Sequence, residues 1–393
     1  MKKYLKKISL FFIKILNAFF PKQDLIVFYS SPDLADNAFA YFQYISEYHH
    51  EWDTVWIVEN VDYCKKVLKN DGLSNVKIAK VGSIMAIYYN LIAKVQIDTH
   101  GAGYKKFSFN RYPLVISLWH GSPIKKIGRD IGAKVTCKQD ILTSGARYFE
   151  PFFKSSIVCR HGKIVTTGYP RNDWITGALK TKFDVTSIDK PYIVWMPTYV
   201  VSKGSILGGG GLFNDGILRD GYISFLSSSD LGGVDKDLAK LGIDLYIKLH
   251  PYDILNTYDF SDKNLSNIKI IRADDISMCG SRMYGMLRYS KGLITDYSSV
   301  IFDYILTNNP IGLDIPACET YTREKYFDYD MSQMNIHAIK NREDLLSFCQ
   351  KTVDFSNKKN QIIEFESKYT DDNLMSFSEV VYSIQKRHVN GQN

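Results

Sequence analysis

The chain has 393 residues, 45% of them hydrophobic, and carries a net charge of +7. This length suits two domains of about 100–200 residues each, and the hydrophobic share is that of a globular protein, which excludes a disordered or fibrous chain. The modest basic excess favours phosphates, nucleotides or anionic lipid as partners, and no DNA- or RNA-binding signature accompanies it, so nucleic acid is not expected among them.

Residues 1–20 place Leu5, Ile8, Phe12, Ile15, Leu16 and Phe19 on one helical face, with Lys2, Lys3, Lys6, Lys7 and Lys14 mostly off it. Lys14 interrupts the apolar run, which is too short to span a bilayer. A signal peptide shares the basic start and apolar middle, but no small-residue cleavage site follows. The reading is an amphipathic helix over residues 1–23, lying on an anionic membrane surface, with the protein peripheral at the cytoplasmic face.

Residues 24–180 alternate short apolar runs with helical or loop segments. The runs 25–29, 54–58, 76–81, 95–99, 115–119, 141–143 and 164–166 read as strands, and 37–48, 61–69 and 83–93 as helices. This is the pattern of a parallel sheet covered by helices. The polar stretch 178–190 reads as a linker. A second alternating block, residues 188–365, has strands at 192–196, 245–249, 268–271, 293–295 and 311–313. Between its first two strands, residues 202–233 are rich in Gly and Ser but lack the Lys and spacing of a P-loop, so they read as a mobile surface loop. The tail from Leu345 to Arg387 reads as helical, with residues 366–393 returning to the first domain. The six cysteines are scattered, without a C-x-x-C pair, which fits neither a disulfide framework nor a zinc site. A reduced cytosolic setting is the simplest inference.

In open α/β sheets, ligands bind beyond the carboxyl ends of the strands. Several strands here end in polar groups: Asp98-Thr99-His100-Gly101, then His120-Gly121-Ser122-Pro123 with Lys125 and Lys126. Gly168-Tyr169-Pro170-Arg171-Asn172-Asp173, Pro197-Thr198-Tyr199 and His250-Pro251 end others. After the run 293–295 come Asp296, Ser298 and Ser299, ahead of an apolar helical run from Val300. The spacing predicts a helix starting at Ser298 or Ser299, whose free N–H groups and dipole end attract phosphate. Imidazole, guanidinium, ammonium and hydroxyl groups thus gather on one edge of both domains. The chemistry is transfer from a phosphorylated, nucleotide-activated donor in an interdomain cleft, with histidine as a base near neutral pH. No Asp-x-Asp or His-rich cluster points to a metal, and no cofactor is expected.

Five of these segments, Trp119–Gly128, Gly168–Asp173, Met196–Tyr199, Lys248–Pro251 and Ile294–Tyr304, stand in the order found in one family. On them the chain resembles the CDP-glycerol glycerophosphotransferases, which build teichoic-acid and related capsule polymers. Glu319-Thr320-Tyr321 and Tyr326-Phe327-Asp328 are a weaker echo, and the resemblance covers roughly residues 85–375. It implies a GT-B architecture, two Rossmann-like doubly wound domains facing a cleft. It also implies a CDP-alditol donor and a lipid-linked or polymeric acceptor.

By motif, the resemblance makes His120 the base for the acceptor hydroxyl and puts His250, with Lys248 before it, on the donor diphosphate. Ser298 and Ser299 would hold phosphates beside Thr295 and Asp296. Arg171, Asn172 and Asp173 would shape the cleft, Thr198 would lie near the donor, and Gly121, Ser122, Lys125 and Lys126 would form the acceptor side. A hydroxyl would attack the phosphorus bearing the alditol, and CMP would leave. Val200 and Val201 stand where the family often has Arg and Asp, and Asp371-Asp372-Asn373 where it has an Asp-Gly pair. CDP-ribitol therefore stands beside CDP-glycerol as donor, and a GT-B glycosyltransferase using a nucleotide sugar is the alternative chemistry.

Overall fold

A computed structural model describes residues 20–100, 113–133, 139–157, 163–197, 222–227, 229–250, 264–272, 275–319, 324–328, 336–354 and 376–391. The basic segment 1–19, Thr198 and the motif residues beside it, the stretch 202–221, Thr320, Tyr321 and Asp371 to Asn373 lie outside the described residues.

The first sheet has seven strands: β1 (Gln23–Phe28), β2 (Asp53–Val58), β3 (Lys77–Lys80), β4 (Ala93–Asp98), β5 (Leu114–Ser117), β6 (Ile141–Ser144) and β7 (Lys163–Thr166). They are all parallel, in the order β3-β2-β1-β4-β5-β6-β7. Its helices are α1 (Asp36–Tyr48), α2 (Val61–Asn70), α3 (Ile84–Ile92), α4 (Glu150–Ser156) and α5 (Asn172–Thr176). Ile26, Val27 and Phe28 are buried on both faces of the sheet, which is why the strand reads as an unbroken apolar run. Asn60 and Ser83 start α2 and α3 by accepting from the Tyr63 and Ala86 amides.

The second half begins with β8 (Tyr192–Met196), a short hairpin of β9 (Tyr222–Ile223) and β10 (Leu226–Ser227), and α6 (Leu231–Leu241). Then come β11 (Asp244–Lys248), β12 (Ile268–Ile271), α7 (Arg282–Tyr289), β13 (Gly292–Thr295), α8 (Val300–Tyr304), β14 (Ile311–Asp314), α9 (Ile315–Glu319), β15 (Ile336–Ile339), α10 (Arg342–Asp354) and α11 (Phe377–Val389). The parallel sheet runs β12-β11-β8-β13-β14-β15, so both sheets reverse direction beside their first strand. Such a reversal opens a crevice at the carboxyl ends of the strands. The fold is α/β and GT-B-like: those two edges meet across one cleft.

Helices sandwich each sheet. On one face of the first, Phe28 stacks on Trp56 with ring centroids 5.3 Å apart, among Phe39 and Phe42 of α1. Each such ring, fully buried, contributes roughly 1.5–3 kcal/mol. The last helix crosses back to this face. Ser376 caps α11 by accepting from the Glu379 amide, and Val381, Tyr382 and Ile384 join the first core. Between the halves, Trp174 of α5 lies 5.3 Å from Tyr284 of α7. Leu179 is buried and Phe183 packs on the second core, so the linking stretch is held against the protein.

Two expectations change. The glycine-rich surface loop does not extend to residue 233: Ile223, Leu226 and Leu231 are buried, and these three apolar side chains fold residues 222–233 into the hairpin and the start of α6. Strand β15 was not anticipated. Only Ile336 and Ile339 of its four residues are buried, too few for an apolar run to stand out.

Candidate active site

The chain turns sharply after β5. Trp119 takes a left-handed φ of 54°, and Gly121 follows at φ 136°, a conformation open to glycine alone without strain. A Cβ at Gly121 would also sit 2.5 Å from Ser299 Oγ, so glycine is what lets the two halves touch here. Three successive carbonyls of the turn are tethered. Asn37 Nδ2 donates to Leu118 O at 3.2 Å and to Trp119 O at 2.9 Å, and Arg171 Nη1 donates to His120 O at 2.9 Å.

Arg171 is the hub of that arrangement. Its guanidinium makes a two-pronged pair with Asp303 of α8, Nε to Oδ1 at 3.2 Å and Nη2 to Oδ2 at 2.7 Å. It also donates to Asp36 Oδ1 at 2.5 Å, and its amide donates to Asn37 Oδ1 at 3.2 Å. Burial pushes the Asp303 carboxyl up to about 6 against the pull of Arg171, which leaves it ionised at neutral pH. One buried cation thus joins the start of α1, the β5 turn and the helix after β13.

The turn presents His120 to the cleft. Its Nδ1–H donates to Thr99 O at 3.0 Å, which fixes the tautomer and leaves the lone pair on Nε2. Burial lowers its proton affinity below the ordinary imidazole value, Thr99 O and Asp36 oppose that, and Arg171 adds to it. The side chain is therefore neutral at neutral pH and able to accept a proton.

From the second half, His250 follows β11, and Ser298 and Ser299 follow β13. Burial, then Lys125 and Lys248, push His250 down to about 3, so it is an uncharged hydrogen-bonding group. Helix α8 starts at Val300. Ser299 sits ahead of it in a right-handed helical conformation, and its hydroxyl does not cap the helix. Capping needs an extended residue at that position, so Ser299 is not the cap.

These groups line one cavity of about 420 Å³, within the range of small-molecule sites. It brings together His120, Gly121, Ser122, Lys125, His250, Ser298 and Ser299, with Asp36, His100 and Tyr297 beside them. The other candidates have structural partners instead. Lys126 pairs with Glu324 at 2.6 Å, where residues 124–126 and 324–326 exchange backbone hydrogen bonds across the cleft mouth. Asp173 accepts from the Phe377 and Ser378 amides and the Ser378 hydroxyl, holding the start of α11. Asn172 is buried next to Asp173 and helps to hold down the proton affinity of Asp303. Thr295 Oγ1 donates to Met196 O at 2.7 Å, tying β13 to β8. Asp296 is buried and raises the proton affinity of Asp314. Lys248 Nζ donates to Leu249 O at 3.0 Å. Among the described residues, no three His, Cys, Asp or Glu side chains are grouped to hold a metal, and no helix is long and apolar enough to cross a membrane.

Asp36, Asn37 and Asp303 were not singled out from the sequence. Asp36 and Asn37 read as an ordinary helix start, and Asp303 as one polar residue in an apolar helix. A lone acid inside the apolar run 300–305 is the one local signal that a buried partner exists.

The sequence profile of a family described as CDP-glycerol:poly(glycerophosphate) glycerophosphotransferase matches residues 10–382. A teichoic acid poly(glycerol phosphate) polymerase of Staphylococcus epidermidis is 24% identical over 342 residues, covering 79% of this chain and 43% of that protein. The chain thus spans less than half the length of that relative. A teichoic acid glycerol-phosphate transferase of Staphylococcus aureus is 24% identical over 79% of each chain. A teichoic acid ribitol-phosphate primase of Bacillus spizizenii is 25% identical over 55% of each. Among solved structures, the wall teichoic acid polymerase TagF superposes over 100% of this chain and 98% of its own, with a TM-score of 0.70 at 18% identity, which establishes the shared fold.

Proposed function

The chain belongs to the CDP-glycerol:poly(glycerophosphate) glycerophosphotransferase family, and from that premise we propose that it transfers an alditol phosphate, glycerol phosphate first, from a CDP-alditol to an acceptor hydroxyl. The acceptor is lipid-linked or polymeric, CMP is released, and the product is a teichoic-acid or capsule polymer. The observation that carries this reading is the meeting of His120, neutral and with its tautomer set, and the serines after β13 in one cavity.

In the reaction, His120 Nε2 takes the proton of the acceptor hydroxyl. The oxygen attacks the phosphorus that bears the alditol, and the bond from that phosphorus to the bridging oxygen of CMP breaks. The Ser298 and Ser299 hydroxyls and the His250 imidazole surround the phosphates and stabilise the charge that moves onto the leaving group, with Lys125 on the acceptor side. Residues 1–20 hold the protein to the cytoplasmic face of the membrane, their five lysines each worth about 1 kcal/mol near anionic lipid. CDP-ribitol is the second reading of the donor, favoured by Val200 and Val201 at positions where the family often carries Arg and Asp.

The test is CMP release from CDP-glycerol and CDP-ribitol with an acceptor, beside donor Kd from calorimetry. His120→Ala lowers kcat by about 100- to 10,000-fold, the usual contribution of a base, and leaves donor Kd nearly unchanged. His250→Ala weakens donor binding. Near wild-type kcat in His120→Ala, or release of a nucleoside diphosphate from a nucleotide sugar with no CMP from either alditol donor, overturns the reading.

A further inference from the structure

His100 and His120 lie ring on ring, with centroids 4.1 Å apart and planes 6° from parallel. One residue serves both rings: the Thr99 carbonyl accepts from His120 Nδ1 at 3.0 Å, and the Thr99 hydroxyl bonds His100 Nδ1 at 2.8 Å. Trp119 stacks on the His120 ring as well, at 4.5 Å. The His120 imidazole is therefore held in its plane by aromatic neighbours as well as by its hydrogen bond. Both histidines line the cleft, His100 exposed and His120 half-buried. Among the described residues, the charged or titratable groups facing the pair from other elements are Asp36, Lys125, Arg171, His250 and Tyr297.

We propose that His100 is a positioning residue for the transfer reaction, its ring fixing the aim of His120 Nε2 and its protonation shutting the base off. The inference rests on His120 being the base. When His120 takes the hydroxyl proton it becomes an imidazolium. A neutral His100 leaves that charge unopposed. A protonated His100 puts a like charge 4.1 Å from it. Even with the full screening of water, that repulsion disfavours proton uptake about fivefold, and more in a cleft that excludes water. Turnover therefore slows once His100 is protonated, and the acid limb of the kcat profile carries two ionisations.

The experiment compares kcat against pH, from CMP release with donor saturating, for wild type, His100→Phe, His100→Ala and His120→Ala. Thermal melts of each identify variants that fail to fold. Phenylalanine keeps an aromatic face and cannot titrate. Normalised to its own plateau, the His100→Phe profile extends to lower pH, and its acid limb falls with a single-proton slope where wild type is steeper. His100→Ala loses the stacking, and its plateau kcat falls about tenfold or more below that of His100→Phe, with donor Kd unchanged. If the His100→Phe limb superposes on wild type, or His100→Ala matches the wild-type plateau, the proposal is overturned. His120→Ala separates the two failures: if it retains kcat, the base assignment is at fault. If it loses kcat while the His100→Phe limb stays on wild type, only the role of His100 falls.

Discussion

Removing Asp303 tests whether the buried ion cluster holds the catalytic turn or merely stabilises the protein. Arg171 and Asp303 are 4% and 2% exposed and joined by two hydrogen bonds. Asp303→Leu leaves the guanidinium buried with Asp36 as its remaining carboxylate among the described residues. Breaking one side of a buried pair costs about 3–5 kcal/mol. At roughly 2–4 °C per kcal/mol, Tm falls by about 6–20 °C. Adding Arg171→Met removes the stranded charge, and apolar replacements of both partners often restore stability. The double variant therefore recovers most of the lost Tm. It does not recover kcat, because methionine cannot donate to His120 O, and the strained Trp119 turn loses that tether. The assay pairs thermal melts with CMP release for the two single variants and the double. A loss of less than about 2 °C in Asp303→Leu, below what one uncompensated buried charge implies, would refute the energetic argument. Wild-type kcat in the double variant would refute the positioning argument.

Two further outcomes follow from single positions. Gly121→Ala combines a φ of 136° with a Cβ 2.5 Å from Ser299 Oγ. The halves must part there by a substantial fraction of an ångström, and kcat falls by about 100-fold, as for a misplacement of 1 Å; activity within threefold of wild type would show that the close approach is not needed. Burial pushes the Asp173 carboxyl up to about 6. A carboxyl with a folded value above its unfolded one favours folding most at low pH, and this contribution, about 3 kcal/mol, is lost as pH rises through 6. Tm measured from pH 4 to 7 should therefore vary less in Asp173→Asn than in wild type, and parallel curves would mean that Asp173 does not titrate in this window.

All seven strands read in the first block and all five in the second are strands of the structure. Parallel strands buried on both faces are short apolar runs, which is what made them legible. The edge strand β15 escaped because only two of its four residues, Ile336 and Ile339, are buried, one on each face. At the cleft, the strand-end rule assembled His120, Gly121, Ser122, Lys125, His250, Ser298 and Ser299. It could not separate these from Lys126, Thr295 or Asp173, whose residue types suit a substrate equally well. What divides them is pairing at long sequence range: Lys126 with Glu324, Asp173 with Ser378, Arg171 with Asp303. Each partner lies more than a hundred residues away, and neither periodicity nor local spacing carries that information.

The return of α11 to the first sheet has a consequence for synthesis on the ribosome. Val381, Tyr382 and Ile384 complete the core that Phe28, Phe39 and Trp56 begin, yet they leave the ribosome about 210 residues after β7. At about 5–20 residues per second, the seven strands wait roughly 10–40 s for their last covering helix. Throughout that interval the nascent first sheet carries an open apolar strip, and Asp173 has no helix start to hold. Stalled nascent chains ending near residue 350 should therefore be cut by protease within the first 180 residues, where the released full-length chain is protected. A helix made about 210 residues later is thus what closes the first sheet.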